Sequence, residues 1–239
     1  MTIVITGASQ GIGFAIAEKF AKEIPNLNIA ICARSQTGIE EAASKLHAIS
    51  PVARVLTAVC DVANEQSVHD FGKLVLKEFG AVDMLVINAG YGVFKPIEQL
   101  TNEEFDGVIA TNLRGAFLTA KTFLGSMIER KSGTIVAIGS LAGKNGFVGG
   151  GAYCTSKFGL RGLMQSLFLD VRDKNIRVTT IFPGSVDTNF FTRNEGGSIR
   201  SKKALAPEDV ADCVFHVSML PQGATVSELD IRPTNPLGT

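Results

Sequence analysis

Tyr153 and Lys157 stand four residues apart in Tyr153-Cys154-Thr155-Ser156-Lys157, at the start of a stretch with helical periodicity. On a helix that spacing puts both side chains on one face. An ammonium beside a phenol favours the phenolate and lowers the tyrosine pKa toward working pH, so the pair could exchange a proton with a substrate oxygen. An ordinary surface pair has the same spacing, so its company matters. Ser140 ends the apolar run just upstream, and Asn112 opens another helical stretch.

A second chemistry sits at the other end of the chain. The first apolar run leads into Thr6-Gly7-Ala8-Ser9-Gln10-Gly11-Ile12-Gly13, and a helical pattern follows. Glycines between a strand and a helix let backbone approach a pyrophosphate, and the helix N-terminus offers free N–H groups and partial positive charge. Gly7, Ser9, Gln10, Gly11, Ile12 and Gly13 are therefore candidate dinucleotide contacts. The same residues match the G-x-S-x-G elbow of hydrolases. That fold needs strands before the elbow and a histidine after it, and His47, His69 and His216 have no distinctive setting. No Lys-Ser/Thr pair follows the loop, so it is not a nucleoside-triphosphate P-loop.

The second apolar run ends Ala33-Arg34-Ser35, without the acidic residue that would bind a ribose 2′-hydroxyl. Arg34 offers a fork of donors to a 2′-phosphate instead, with Ser35 beside it, so the expected cofactor is NADP(H) rather than NAD. After the third run, Asp61-Val62 places a carboxylate where an adenine amino group could be read. After the fourth, Asn88-Ala89-Gly90 forms a small turn that exposes backbone.

These residues need elements to hold them. Seven short apolar runs are expected as strands, with helical stretches between most of them. The runs are apolar on both faces, which points to a parallel sheet covered on each side. The expected fold is α/β, a doubly wound, Rossmann-like, seven-stranded parallel sheet in a three-layer sandwich. Residues 112–130 read as a long helix broken near Gly115, after a separate helix that starts near Thr101 with a capping box. Residues 153–173 read as a helix apolar nearly all round, which needs burial on more than one side. With no linker or repeat visible, residues 1–239 are expected as a single domain, with residues 184–205 as a substrate-binding loop.

Composition narrows the classes. Basic and acidic residues balance at 23 each, against a nucleic-acid surface or a polybasic membrane anchor. Cys32, Cys60, Cys154 and Cys213 make no C-x-x-C pair and read as buried free thiols of a reducing compartment. No metal is expected. No apolar stretch approaches a membrane span, and no basic leader precedes the first strand, so the expected location is cytoplasmic. Glycine is abundant at 25 residues, and many of these lie in the loops just named.

Across essentially its whole length the chain resembles the short-chain dehydrogenase/reductase family. The resemblance rests on Thr6–Gly13, Asp61, Asn88-Ala89-Gly90, Asn112, Ser140, Tyr153-x-x-x-Lys157, and Pro183-Gly184 followed by Val186-Asp187-Thr188. It implies that Tyr153 is the general acid in carbonyl reduction and the base in alcohol oxidation. Lys157 would lower its pKa and hold the nicotinamide ribose hydroxyls, Ser140 would polarise the substrate oxygen, and Asn112 would hold a water for a proton relay. Gly7, Gly11 and Gly13 would line the pyrophosphate, and Asn88 and Gly90 would approach the adenosine side. Pro183, Gly184, Val186 and Thr188 would embrace the nicotinamide. The resemblance also implies a homodimer or homotetramer. The tail, Ser227 to Asn235, resembles that of bacterial sepiapterin-reductase-like carbonyl reductases. Phe94, Phe147, Phe190 and Phe191 are candidate walls for an apolar or aromatic ring substrate. A 3-oxoacyl-[acyl-carrier-protein] reductase is the alternative, with Arg200, Lys202 and Lys203 as a candidate carrier contact. A binding protein that senses NADP without chemistry is a further one.

Overall fold

The computed structural model describes residues 1–190 and 204–235. Its centre is a seven-stranded sheet in the order β3-β2-β1-β4-β5-β6-β7, with every neighbouring pair parallel. The strands are β1 (Thr2–Thr6), β2 (Asn28–Ala33), β3 (Arg54–Val59), β4 (Met84–Ile87), β5 (Gly133–Ile138), β6 (Ile176–Pro183) and β7 (Glu228–Ile231). The inner strands β1, β4 and β6 are buried almost throughout, as continuous apolar runs require; β3 and β7 are the edges and stay half exposed.

Helices cover both faces. Residues of α1 (Gly11–Glu23), α2 (Gln36–Ile49) and α7 (Pro207–Ser218) pack into one apolar layer; those of α3 (Glu65–Phe79), α5 (Gly115–Arg130) and α6 (Gly151–Val171) pack into the other. The expected doubly wound α/β sandwich is present. Strand order reverses between β1 and β4. That reversal opens a crevice at the strands' C-terminal ends, where ligands of such sheets bind.

One expectation fails. Residues 102–130 form an unbroken helical run: α4 (Asn102–Ile109), a π turn (Ala110–Arg114), then α5. Gly115 does not break it, with φ −62° and ψ −38°. Its missing side chain serves proximity instead, because a Cβ there would lie 2.9 Å from Val62 Cγ2 and 3.0 Å from the Val62 carbonyl. The capping box at Thr101 and Glu104 is formed as expected. Of the cysteines, Cys32, Cys60 and Cys154 are buried, whereas Cys213 is only half buried on α7.

Candidate functional site

The glycine loop is built by β1 and pinned from β4. Asn88 Nδ2 donates to the carbonyls of Thr6 (2.9 Å) and Gly7 (3.0 Å), and Thr6 Oγ1 accepts from the N–H groups of Asn88 and Ala89 (both 3.1 Å). Gly7 and Gly11 take positive φ (67° and 58°), which L side chains rarely tolerate. Gly13 has no room for a Cβ, which would meet Asn88 Nδ2 at 2.5 Å and the Gly7 carbonyl at 2.6 Å. Gln10 starts α1 without capping it, and no acid lies in the first turn. Ser9 and Ile12 are half exposed on the same loop. This helix end can accept an anion.

The segment after β6 closes over that loop. Gly184 N–H bonds the Ile231 carbonyl (2.8 Å), and Val186, packed in the core beyond Pro183, bridges to Leu205. Thr188 Cγ2 lies 3.3 Å from where a Gly11 Cβ would be, and Asn189 Nδ2 donates to Gln10 Oε1 (3.4 Å). On the adenosine side, Asp61 Oδ1 accepts from Ala63 N–H (3.0 Å) next to buried Val62. Ser35 caps α2 by accepting from Gly38 N–H (3.1 Å). Arg34 is exposed at the end of β2, with its guanidinium over the Tyr91 ring at 5.9 Å.

The four polar residues read from the sequence gather around the end of β5. Ser140 leaves β5 and faces Tyr153 at the start of α6, where its hydroxyl draws the phenol pKa down. Asn112 lies buried in the π turn. Its Nδ2 donates to the Tyr91 carbonyl (2.8 Å) and Ser156 Oγ (3.0 Å), and its Oδ1 accepts from Tyr91 N–H (2.9 Å). Gly90 sits between, where a Cβ would lie 3.0 Å from Asn112 Oδ1 and 3.8 Å from Lys157 Nζ. The extra residue of the π turn serves a site here, a frequent use of that geometry. The sequence reading missed Tyr91 and Ser156. Ser156 lies inside the Tyr-Lys motif, but only the fold shows that it meets Asn112.

The electrostatics correct the expected Tyr–Lys coupling. Burial pushes the Tyr153 phenol up to about 12, with only the Ser140 hydrogen bond opposing it. Burial likewise brings the Lys157 ammonium down to about 8. Lys157 Nζ donates to the Ile138 carbonyl (2.8 Å) and lies 5.8 Å from the Tyr153 ring centroid. Sharing a helix face does not bring the ammonium onto the phenol oxygen, and desolvation dominates both groups.

Phe94, Phe147 and Phe190 do converge. Phe94 packs edge-on against Tyr153 (5.5 Å between centroids) and lies 5.8 Å from Phe147 and 6.2 Å from Phe190, which is 5.6 Å from Tyr153. Phe147 is 39% exposed and Phe190 half-buried, so the cluster opens to solvent on one side while Phe94 roots it in the core. Phe191, Arg200, Lys202 and Lys203 lie outside the described residues, as does most of the 184–205 loop. Among the described residues no group of His, Cys, Asp and Glu gathers as a metal site, and no helix is long and apolar enough to cross a membrane.

Known proteins resemble this chain over most of its length. A family model described as short chain dehydrogenase matches residues 1–197. Sepiapterin reductase of Chlorobaculum tepidum is 32% identical over 98% of this chain and 96% of its own. The alcohol dehydrogenase of the archaeon Thermococcus sibiricus, solved with 5-hydroxy-NADP, is 35% identical with a TM-score of 0.87, covering 96% of this chain and 95% of its own. A 3-ketoacyl-ACP reductase from Sinorhizobium meliloti 1021 is 29% identical with a TM-score of 0.87, covering 97% of each chain. Matched by the family model over most of its length and by a relative 32% identical end to end, the chain belongs to the short-chain dehydrogenase family of oxidoreductases.

Proposed function

We propose that the protein is an NADPH-dependent carbonyl reductase in which Tyr153 delivers the proton. The observation that carries this reading is the gathering at the end of β5: buried Lys157 donates to the Ile138 carbonyl (2.8 Å) one helical turn after Tyr153, where the strand delivers Ser140 and Gly90 separates Lys157 from Asn112. The chain's own features fit a dinucleotide: the uncapped N-terminus of α1, the glycine backbone beneath Thr188, and the small Ala89-Gly90 turn. Gly7, Gly11 and Gly13 with Ser9, Gln10 and Ile12 would hold the pyrophosphate. Asp61, Val62 and Ala89 would hold the adenine side, and Pro183 to Thr188 the nicotinamide. Arg34 makes no hydrogen bond or ion pair among the described residues, so its donors are free for a 2′-phosphate; this supports NADP, and so does the relative solved with an NADP analogue.

When bound, the nicotinamide exchanges a hydride with the substrate carbon. Ser140 Oγ donates to the substrate oxygen and polarises it, and Tyr153 gives that oxygen its proton. A phenol held up to about 12 is protonated at pH 7, the form that donates the proton in reduction. Lys157, charged below about 8, would hold ribose hydroxyls. Asn112 Oδ1 keeps one lone pair for a relay water.

The aromatic wall of Phe94, Phe147 and Phe190 favours a flat ring-bearing carbonyl, sepiapterin-like or a small cyclic diketone. Likeness to the sepiapterin reductase supports this; likeness to the ketoacyl-ACP reductase supports an acyl-carrier substrate as the second reading. Tyr153→Phe is expected to lower carbonyl-dependent NADPH oxidation by about a thousandfold, with NADPH affinity unchanged by fluorescence titration. A wild-type protein that binds NADPH yet consumes none with ketones, diketones or a pterin would instead be a dinucleotide sensor.

A further inference from the structure

Tyr153, Lys157 and Arg161 follow at four-residue steps along α6, so they share a helix face. Arg161 belongs to an ionic cluster behind the site. Its Nε and Nη2 grip Glu228 of β7 in a two-pronged pair at 2.7 and 3.0 Å, and Gln165 Nε2 donates to the same carboxylate at 2.8 Å. Lys144 Nζ approaches Glu228 at 3.1 Å and Asp230 at 2.6 Å. Both cations lean on the buried ring of Phe182, Lys144 at 4.2 Å and Arg161 at 5.9 Å from its centroid. The bonds from Arg161, Lys144 and Gln165 hold the Glu228 carboxyl down to about 2.

Lys144 has its own tie to the site. It closes the short 3-10 turn that begins on Ser140. Ser140 Oγ accepts from Ala142 N–H (3.2 Å), Gly143 N–H donates to the Ser140 carbonyl (2.8 Å), and Lys144 N–H donates to that of Leu141 (3.0 Å). Glu228 on the edge strand thus reaches both the helix that presents Tyr153 and the turn that presents Ser140, sharing Lys144 of that turn with Asp230.

We propose that Glu228 is a positioning residue: by clamping Lys144 and Arg161 it fixes the approach of Ser140 to Tyr153. It touches neither hydroxyl. Its effect is geometric, because half-exposed ion pairs add little stability while small misplacements of reacting groups cost much rate. The inference rests on the reading of Ser140 and Tyr153 as the proton-donating pair.

The chain has two tyrosines and no tryptophan, so tyrosine labelled at the phenolic carbon gives two NMR resonances, and Tyr91→Phe identifies that of Tyr153. Ser140→Ala is expected to move the Tyr153 resonance. Glu228→Gln should move it in the same direction, and adding Ser140→Ala to Glu228→Gln should move it no further. In turnover, Glu228→Gln should lower kcat about tenfold with NADPH affinity unchanged, and Glu228→Asp should recover part of it. Lys144→Met, which cuts only the tie to the Ser140 turn, should give the same resonance shift even if Glu228→Gln fails to fold. A Tyr153 resonance unmoved by Lys144→Met, or by a folded Glu228→Gln, overturns the proposal, whatever happens to thermal stability. A wild-type protein without turnover would sink the reductase reading and leave the NMR result to decide the clamp.

Discussion

Two titratable side chains, half-buried Tyr153 and buried Lys157, are each pushed by desolvation toward the neutral form. For Lys157 this has a stability consequence. Its folded pKa of about 8 lies below the ordinary 10.5, so the unfolded chain binds more protons between those values and stability rises with pH across that window. Below pH 8 the burial penalty is fully present. Lys157→Met should therefore be the more stable protein at pH 7, by at most roughly 3 kcal/mol and less the cost of stranding the Ile138 carbonyl. Denaturant midpoints should show the gap closing as pH rises from 8 to 10. Arg34 is the second residue with a direct readout. Its exposed fork should make Arg34→Ala lose about tenfold in NADPH affinity, with NADH binding unmoved, in a fluorescence titration.

The π turn, Ala110–Arg114, is the element that most shapes the site. It inserts Asn112 between Tyr91 and Ser156, so the helix that carries α4 and α5 is stitched to the turn after β4 and to α6. Asn112→Ala would leave the Tyr91 N–H and carbonyl without their partner. It should cost about 2 kcal/mol in urea unfolding as well as slowing turnover. Periodicity misplaced this element: Gly115 looked like a helix breaker, and a single glycine within a helical pattern is ambiguous between a break and a close approach. Val62, fifty-odd residues earlier in the chain, resolves it, and no local pattern contains that neighbour.

At the scale of the molecule, α5 and α6 carry large apolar side chains that the single chain leaves exposed: Phe117 at 45%, Phe158 at 46% and Leu169 at 58%. Soluble monomers rarely display such residues together on neighbouring helices. The protein is expected to be a homodimer or homotetramer by light scattering at micromolar concentration, and Phe117→Glu with Phe158→Glu should lower the mass toward a monomer. A wild-type monomer at that concentration would count against the interface. The sandwich itself was legible in advance, because strands buried on both faces must be apolar throughout and must alternate with helices.

The sequence by itself determined the strands, most of the helices, the glycine loop and the candidacy of Asn112, Ser140, Tyr153 and Lys157, because their spacing is local and each motif requires its own residue types. Tertiary structure alone decided how they act on one another. Whether an ammonium four residues from a tyrosine reaches its oxygen depends on what else competes for it, and the Ile138 carbonyl does. Whether a phenol is acidic depends on burial, which no spacing encodes. The carboxylate that joins the Ser140 turn to α6 stands 75 residues beyond Tyr153, on a strand that only the folded sheet brings alongside.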